Sequence, residues 1–264
     1  MLQDKFSEFV GIVKRLRKEC PWDREQTHDS IKANTLEEAY EVVESIDNKD
    51  YNELKKELGD LFLHVLFHSQ IAEDNNEFVL EDVIDAINEK LIRRHPHIFG
   101  DASVTDAENV KTNWEHIKLT EGRTSVLEGV PINMPSLSRA YRLQEKASKV
   151  GFDWEKKEDV WKKVIEEIEE MHESERNETH EELEKEVGDV FFALVNYARF
   201  LKINPEDALR LTNEKFINRF QYVEKKITDT GRKIHESNLA EMDKYWEESK
   251  EKGKRKKEKG ENKE

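Results

Sequence analysis

The chain has 264 residues, 36% of them hydrophobic and 39% charged, with one cysteine and a formal net charge of −15. A single cysteine excludes an intrachain disulfide framework and suits a reducing compartment. No run approaches 18 apolar residues and the N-terminus lacks a basic-then-apolar secretory pattern, so a cytoplasmic protein that does not enter a membrane is expected. Lys250 to Glu264 holds eight basic and four acidic side chains, which leaves −19 on the residues before it. That field disfavours duplex nucleic acid but leaves room for a metal-dependent site that takes a small anion.

In chain order, Lys5 to Arg17 places Phe6, Phe9, Val10, Val13 and Leu16 at helical spacing, which predicts an amphipathic first helix. Cys20-Pro21-Trp22-Asp23 interrupts it, since proline restricts the residue before it; Asp23 and Thr27 are both candidate caps for the next turn. Thr35 to Ile46 and Glu53 to Glu73 then read as a helical hairpin. Glu38 and Glu41 are three apart, as are Glu57 and Asp60, so each pair shares a helix face. The midpoint falls at Lys49, which sets the two pairs opposite one another in two layers. Thr35 followed by Glu38 also has capping-box spacing, a structural explanation that competes for Glu38. Gly59 inside the second helix is unfavourable by about 0.8–1 kcal/mol relative to Ala, and close helix approach beside the carboxylates is its simplest reason. His64 and His68 continue the Asp60 face but read as packed neutral histidines rather than ligands.

Leu80 to Arg94 is a further amphipathic helix with a basic end at Arg93-Arg94, and Trp114 and Lys118 share the face of another. Gly122 to Pro135, with two glycines and two prolines, reads as a linker between a domain at 1–121 and a second at 136–250. Ser136 to Lys149, Val160 to Glu175, Glu181 to Leu201, Pro205 to Thr228 and Leu239 to Ser249 are the helices expected of the second domain. From 251 to 264 the chain is a charged tail without apolar periodicity, expected to be disordered.

The second domain repeats the first. Glu167, Glu170, Glu186 and Asp189 follow Glu38, Glu41, Glu57 and Asp60 by 129 residues each, and seven of 14 positions are identical between Glu53–Leu66 and Glu182–Val195. Four carboxylates so gathered repel one another unless a cation sits among them. Asn-Glu-Lys followed by an arginine recurs at Lys90/Arg94 and Lys215/Arg219, as does Trp with Lys four residues later at Trp114/Lys118 and Trp246/Lys250. Recurrence favours anion binding over mere compensation of helix dipoles. No phosphate-binding glycine loop of the Gly-x-x-x-x-Gly-Lys type is present. A single hairpin buries too little to be stable, so four-helix-bundle packing within or between subunits is expected.

Glu-Glu-x-x-Glu, a gap, then Glu-x-x-Asp, in two copies with Cys-Pro-Trp-Asp at 20–23, Arg-Arg-His-Pro-His at 93–97 and Val-Gly-Phe-Asp-Trp at 150–154, resembles the MazG nucleoside triphosphate pyrophosphohydrolases over essentially residues 1 to 250. The resemblance implies an all-α fold of duplicated domains, completed by a homodimer. It implies hydrolysis of nucleoside triphosphates to a monophosphate and pyrophosphate, with Mg²⁺, or Mn²⁺ as substitute, and a housekeeping role of broad base specificity. Carried over, it implies metal ligands at Glu167, Glu170, Glu186 and Asp189 and at Glu38, Glu41, Glu57 and Asp60. Lys215, Arg219 and Lys250 would meet phosphates with Trp246 beside the nucleotide; the first copy's set is Arg93, Arg94, Trp114 and Lys118. Asn218 stands where a further arginine is expected, so the second copy has fewer phosphate contacts. Glu166 or Glu37, beside the ligands, is the candidate to orient water. The alternative is a nucleotide-binding or regulatory protein in which one or both sites are silent.

Overall fold

A computed structural model describes residues 1–101, 106, 109, 110, 113, 114, 117, 121, 122, 124–177 and 179–260, the last eight as backbone only. The described residues form helices and no strand, in two compact units, Met1–Val110 and Lys111–Glu264. No helix among them is long and apolar enough to cross a membrane.

The first unit comprises α1 (Leu2–Glu19), α2 (Pro21–Glu25), α3 (His28–Asp47), α4 (Tyr51–Asp74), α5 (Leu80–Arg94) and α6 (Pro96–Phe99). Thr27 caps α3: its side chain accepts from the Ser30 amide while Ser30 Oγ accepts from the Thr27 amide, which satisfies two donors at the helix start. Thr35 therefore lies inside α3, where its hydroxyl donates to the Ile31 carbonyl, and the capping explanation for Glu38 falls away. Lys49, at φ 55°, turns the chain, and Asp50 caps α4 by accepting from the Asn52 and Glu53 amides at 3.0 Å. The helix pair closes on a core of Val13, Ile31, Leu66, Phe67 and Ile71, against which Phe6, Phe9 and Leu63 pack. Burial of a side chain such as Ile71, 1% exposed, stabilises by about 1.5–3 kcal/mol.

The second unit comprises α7 (Ser136–Ser148), α8 (Lys157–Asn177), α9 (His180–Phe200), α10 (Pro205–Thr228), a short 3₁₀ turn (Ile234–Glu236) and α11 (Leu239–Gly260). Thr179 caps α9 in a box with Glu182. Asn204 caps α10 with Pro205 at its first position, where the missing amide costs nothing. Three ties hold α7 in place or fix the loop after it. Ser138 donates from its amide and hydroxyl to Glu206. Lys146, 2% exposed, donates to the Val126 carbonyl at 2.8 Å. Asp153 pairs with both ends of the Arg199 guanidinium at 2.6 and 2.9 Å.

Val126, in the stretch 122–135 read as a linker, accepts from Lys146 of the second unit. From 251 the backbone continues α11 to Gly260, in keeping with the helix propensity of lysine, arginine and glutamate. One expectation changes. Gly59 and Gly188 do not mark close helix approach among the described residues of one chain: a Cβ at either would meet nothing within 4 Å.

Candidate metal and nucleotide site

In the second unit α8 presents Glu167 and Glu170 and α9 presents Glu186 and Asp189, and these two helices form the hairpin that the repeat predicts. One carboxylate oxygen from each of Glu167, Glu186 and Asp189 lies within 4.8 Å of the others. Glu170 stands outside this trio, although burial first and repulsion from Glu167 second raise its carboxyl above the ordinary value. Lys163, one turn before Glu167, donates to Glu167 at 2.7 Å and to Glu166 at 2.6 Å. Those bonds, the one to Glu166 foremost, hold the Lys163 ammonium above its usual range. Glu166, the candidate water-orienting residue, is thus turned to Lys163 rather than to the trio. All-oxygen donors at this spacing suit a hard cation such as Mg²⁺, which takes carboxylates and keeps sites for water and phosphate.

A cavity of about 420 Å³ opens directly on the trio, with Glu167, Asp189 and Lys163 in its lining. Phe152, Trp154 and Phe192 supply aromatic wall, and Gln144 and Asn196 supply amides. Sequence reasoning quoted the Val-Gly-Phe-Asp-Trp motif without giving Phe152 or Trp154 a role, and it missed Gln144, Lys163 and Asn196. No local spacing links α7 to the carboxylate hairpin, so Gln144 had no signal.

The basic set gathers elsewhere in the unit. Arg219 lies over the Trp246 ring at 5.6 Å, Phe216 packs against the same ring, and Lys250 pairs with Glu247. Lys215 is exposed on α10, and Asn218 donates to the Glu214 carbonyl. Among the described residues, no hydrogen bond, ion pair or ring contact joins this group to the trio.

In the first unit the close trio is Glu38, Glu41 and Glu57. Asp60 is outside it but contributes, after burial and Glu41, to raising the Glu38 carboxyl. Glu57 is pushed up to about 7, by burial first and then by its contacts with Glu53 and Glu41. The position 129 residues before Lys163 is Asn34, so that lysine has no counterpart in the first copy. Above the trio the neighbours also differ. Thr35 Oγ1 contacts His64 Nδ1 and His68 Nε2 at 3.0 Å each, His68 stacks on His28, and His64 Nε2 is 3.8 Å from Glu38. Burial lowers both His64 and His68, which agrees with packed neutral rings. Arg93 and Arg94 end α5; Trp114, which falls in the second unit, is half-buried, and Lys118 lies outside the described residues.

Comparison with known proteins now places the chain. A family model described as the MazG nucleotide pyrophosphohydrolase domain matches twice, at residues 26–99 and 155–224. The chain is 44% identical over 250 residues to the nucleoside triphosphate pyrophosphohydrolase/pyrophosphatase MazG of Thermotoga maritima, covering 93% of this chain and 95% of that one. It is 39% identical over 256 residues to the nucleoside triphosphate pyrophosphohydrolase of Escherichia coli K12, covering 94% and 97% respectively. It is 48% identical to the uncharacterized protein YabN of Bacillus subtilis, covering 95% of this chain but 53% of that longer one. The chain belongs to the MazG nucleotide pyrophosphohydrolase family.

Proposed function

We propose that this member of the MazG family is a Mg²⁺-dependent nucleoside triphosphate pyrophosphohydrolase that yields a nucleoside monophosphate and pyrophosphate, and that its principal site is in the second unit. The observation that carries this reading is the cavity shared by Glu167, Asp189 and Lys163, which sets an aromatic-walled space beside a cation site. The names and full-length coverage of the Thermotoga maritima and Escherichia coli relatives support the substrate class. Glu167, Glu186 and Asp189 would hold the cation, with Glu170 next to them. Mg²⁺, or Mn²⁺ in its place, supplies Lewis acidity at the phosphoryl oxygens and a more acidic water. Lys163 pairs with Glu167 at 2.7 Å and is placed to meet phosphate when a cation replaces it there. Lys215, Arg219 and Lys250 are assigned to the departing pyrophosphate, with Trp246 beside the nucleotide.

That basic set lies apart from the trio within one chain, so the reading includes a homodimer that completes the pocket. Repeated exposed apolar positions support it: Leu36 and Ile165, Phe62 and Phe191, Val65 and Leu194 are each 129 apart and each solvent-exposed. Gly59 and Gly188 lie on the same α4 and α9 surfaces with open space around them, which suits a helix from a second copy. Broad base specificity and a cytoplasmic housekeeping role belong to the same reading. A second reading holds for the first unit alone, where the histidine network favours a site that binds without turnover.

The test is product identification for a panel of nucleoside triphosphates with Mg²⁺, before and after EDTA. Monophosphate plus pyrophosphate, abolished by EDTA and restored by Mg²⁺, is expected. Diphosphate plus phosphate, or turnover indifferent to EDTA, would overturn the mechanism. Sedimentation as a monomer at assay concentration would remove the homodimer.

A further inference from the structure

Among the described residues lining the cavity, Gln144 is the one with a buried side-chain polar atom that has no hydrogen-bond partner. It is 8% exposed, and its Nε2 donates to the Phe192 main-chain carbonyl at 2.9 Å. That bond sets the amide's orientation, because the reversed amide would bring two carbonyl oxygens together. The other end, Oε1, is shut off from solvent and has no hydrogen-bond partner among the described residues. A buried acceptor left unpaired is costly, and a donor brought in by a ligand recovers that cost.

The surroundings limit which ligand this is. Phe152, Trp154 and Phe192 give a cavity wall suited to a flat ring, and Glu167 and Asp189 fix the phosphate-and-cation end of the same space. Asn196, 6% exposed, has its Oδ1 taken by Arg199 Nε at 3.0 Å. The Arg199 guanidinium is in turn held by Asp153, so it is not available as a competing donor to Gln144. The amide oxygen of Gln144 thus lacks a hydrogen-bond partner in the wall of the cavity proposed for the nucleotide.

We infer that Gln144 reads the nucleobase, its Oε1 accepting one N–H of the ring edge. The inference rests on the proposed nucleotide site in the second unit and deepens it. Every common base offers at least one N–H, so such a contact is compatible with wide substrate range. It discriminates against a base that offers none.

The probes are the non-hydrolysable α,β-methylene analogue of ATP and its counterpart with purine in place of adenine, which lacks the 6-amino group. Equilibrium binding to the full chain in Mg²⁺ is expected to favour the adenine compound by about tenfold or more, the size of one buried unpaired acceptor. Gln144→Met, unbranched and of similar length, is expected to bring that ratio to within twofold. A wild-type ratio within twofold overturns the inference, as does an unchanged ratio in Gln144→Met. If Gln144→Met does not fold, the wild-type ratio still decides. Hydrolysis of ATP itself, followed in parallel, separates the two claims: no turnover with a tenfold binding ratio defeats the catalytic reading alone, whereas turnover with a ratio near one defeats the base-reading role alone.

Discussion

The two units hold the same carboxylates at a constant offset and surround them differently. In the second, a lysine one turn from Glu167 meets the charge and an aromatic cavity opens beside it. In the first, Asn34 replaces that lysine, Thr35 bonds to His64 and His68, His64 lies 3.8 Å from Glu38, and Glu57 is pushed up to about 7. The α1 helix packs on α4 as α7 packs on α9, yet its Arg17 is spent internally. It donates to the Asp23 and Gln26 carbonyls, pairs with Asp74 at 2.7 Å and lies over Phe67, the residue 129 before Asn196. An acidic set can therefore persist through duplication while the side chains around it change.

The contrast breaks most directly at turnover. Glu186→Gln should lower kcat/KM for a nucleoside triphosphate by roughly a hundredfold or more, the scale of losing one group that stabilises developing charge; Glu57→Gln should cost far less. Steady-state rates on both variants decide it, and a larger loss from Glu57→Gln would move the chemistry to the first unit. Exchange of the lysine sharpens the electrostatic half. Lys163→Met should tighten Mn²⁺ binding in the second unit by about threefold to tenfold, since a screened charge pair at contact distance is worth about 1 kcal/mol, and Asn34→Lys should weaken it in the first. Calorimetric titration of each variant gives the comparison, and unchanged affinities would show that the lysine does not compete with the cation.

A smaller effect is expected in the pH dependence of stability. The Glu57 carboxyl is raised in the folded state, so its favourable contribution is complete below the ordinary value of 4.5 and is lost as pH rises through about 7. The Glu38 shift has the same sign. In EDTA the first unit should lose thermal stability between pH 4.5 and 7, and Glu57→Gln should flatten that slope. Melting curves with equal slopes in both proteins would remove Glu57 as the cause. The smallest difference should be at the caps: Thr27→Ala and Thr179→Ala should each cost about 1 kcal/mol, each in its own unit. Denaturant unfolding would show a failure as one cap costing nothing.

Much of this was legible in the residues. The hairpins, the α10 boundaries and the trio members follow from helical periodicity and a repeat offset, because both are local or additive along the chain. Thr27 rather than Thr35 as the α3 cap was within reach as one of two candidates. Gln144 and Lys163 were not: the first acts from α7, whose place over α9 depends on packing, and the second matters through a bond one turn along that resembles any surface Lys-Glu pair. Gly59 and Gly188 were misread for a related reason, since a helical glycine signals proximity without saying to what.

The bond from Gln144 to Phe192 ends on main chain rather than on a side chain. No substitution at position 192 short of one that breaks α9 deletes that carbonyl. The amide's direction is therefore insulated from mutation in its partner, while a single codon change at 144 alters it outright. Substrate preference in descendants of this protein should accordingly drift through position 144 in one step, with the aromatic wall free to vary in size around it.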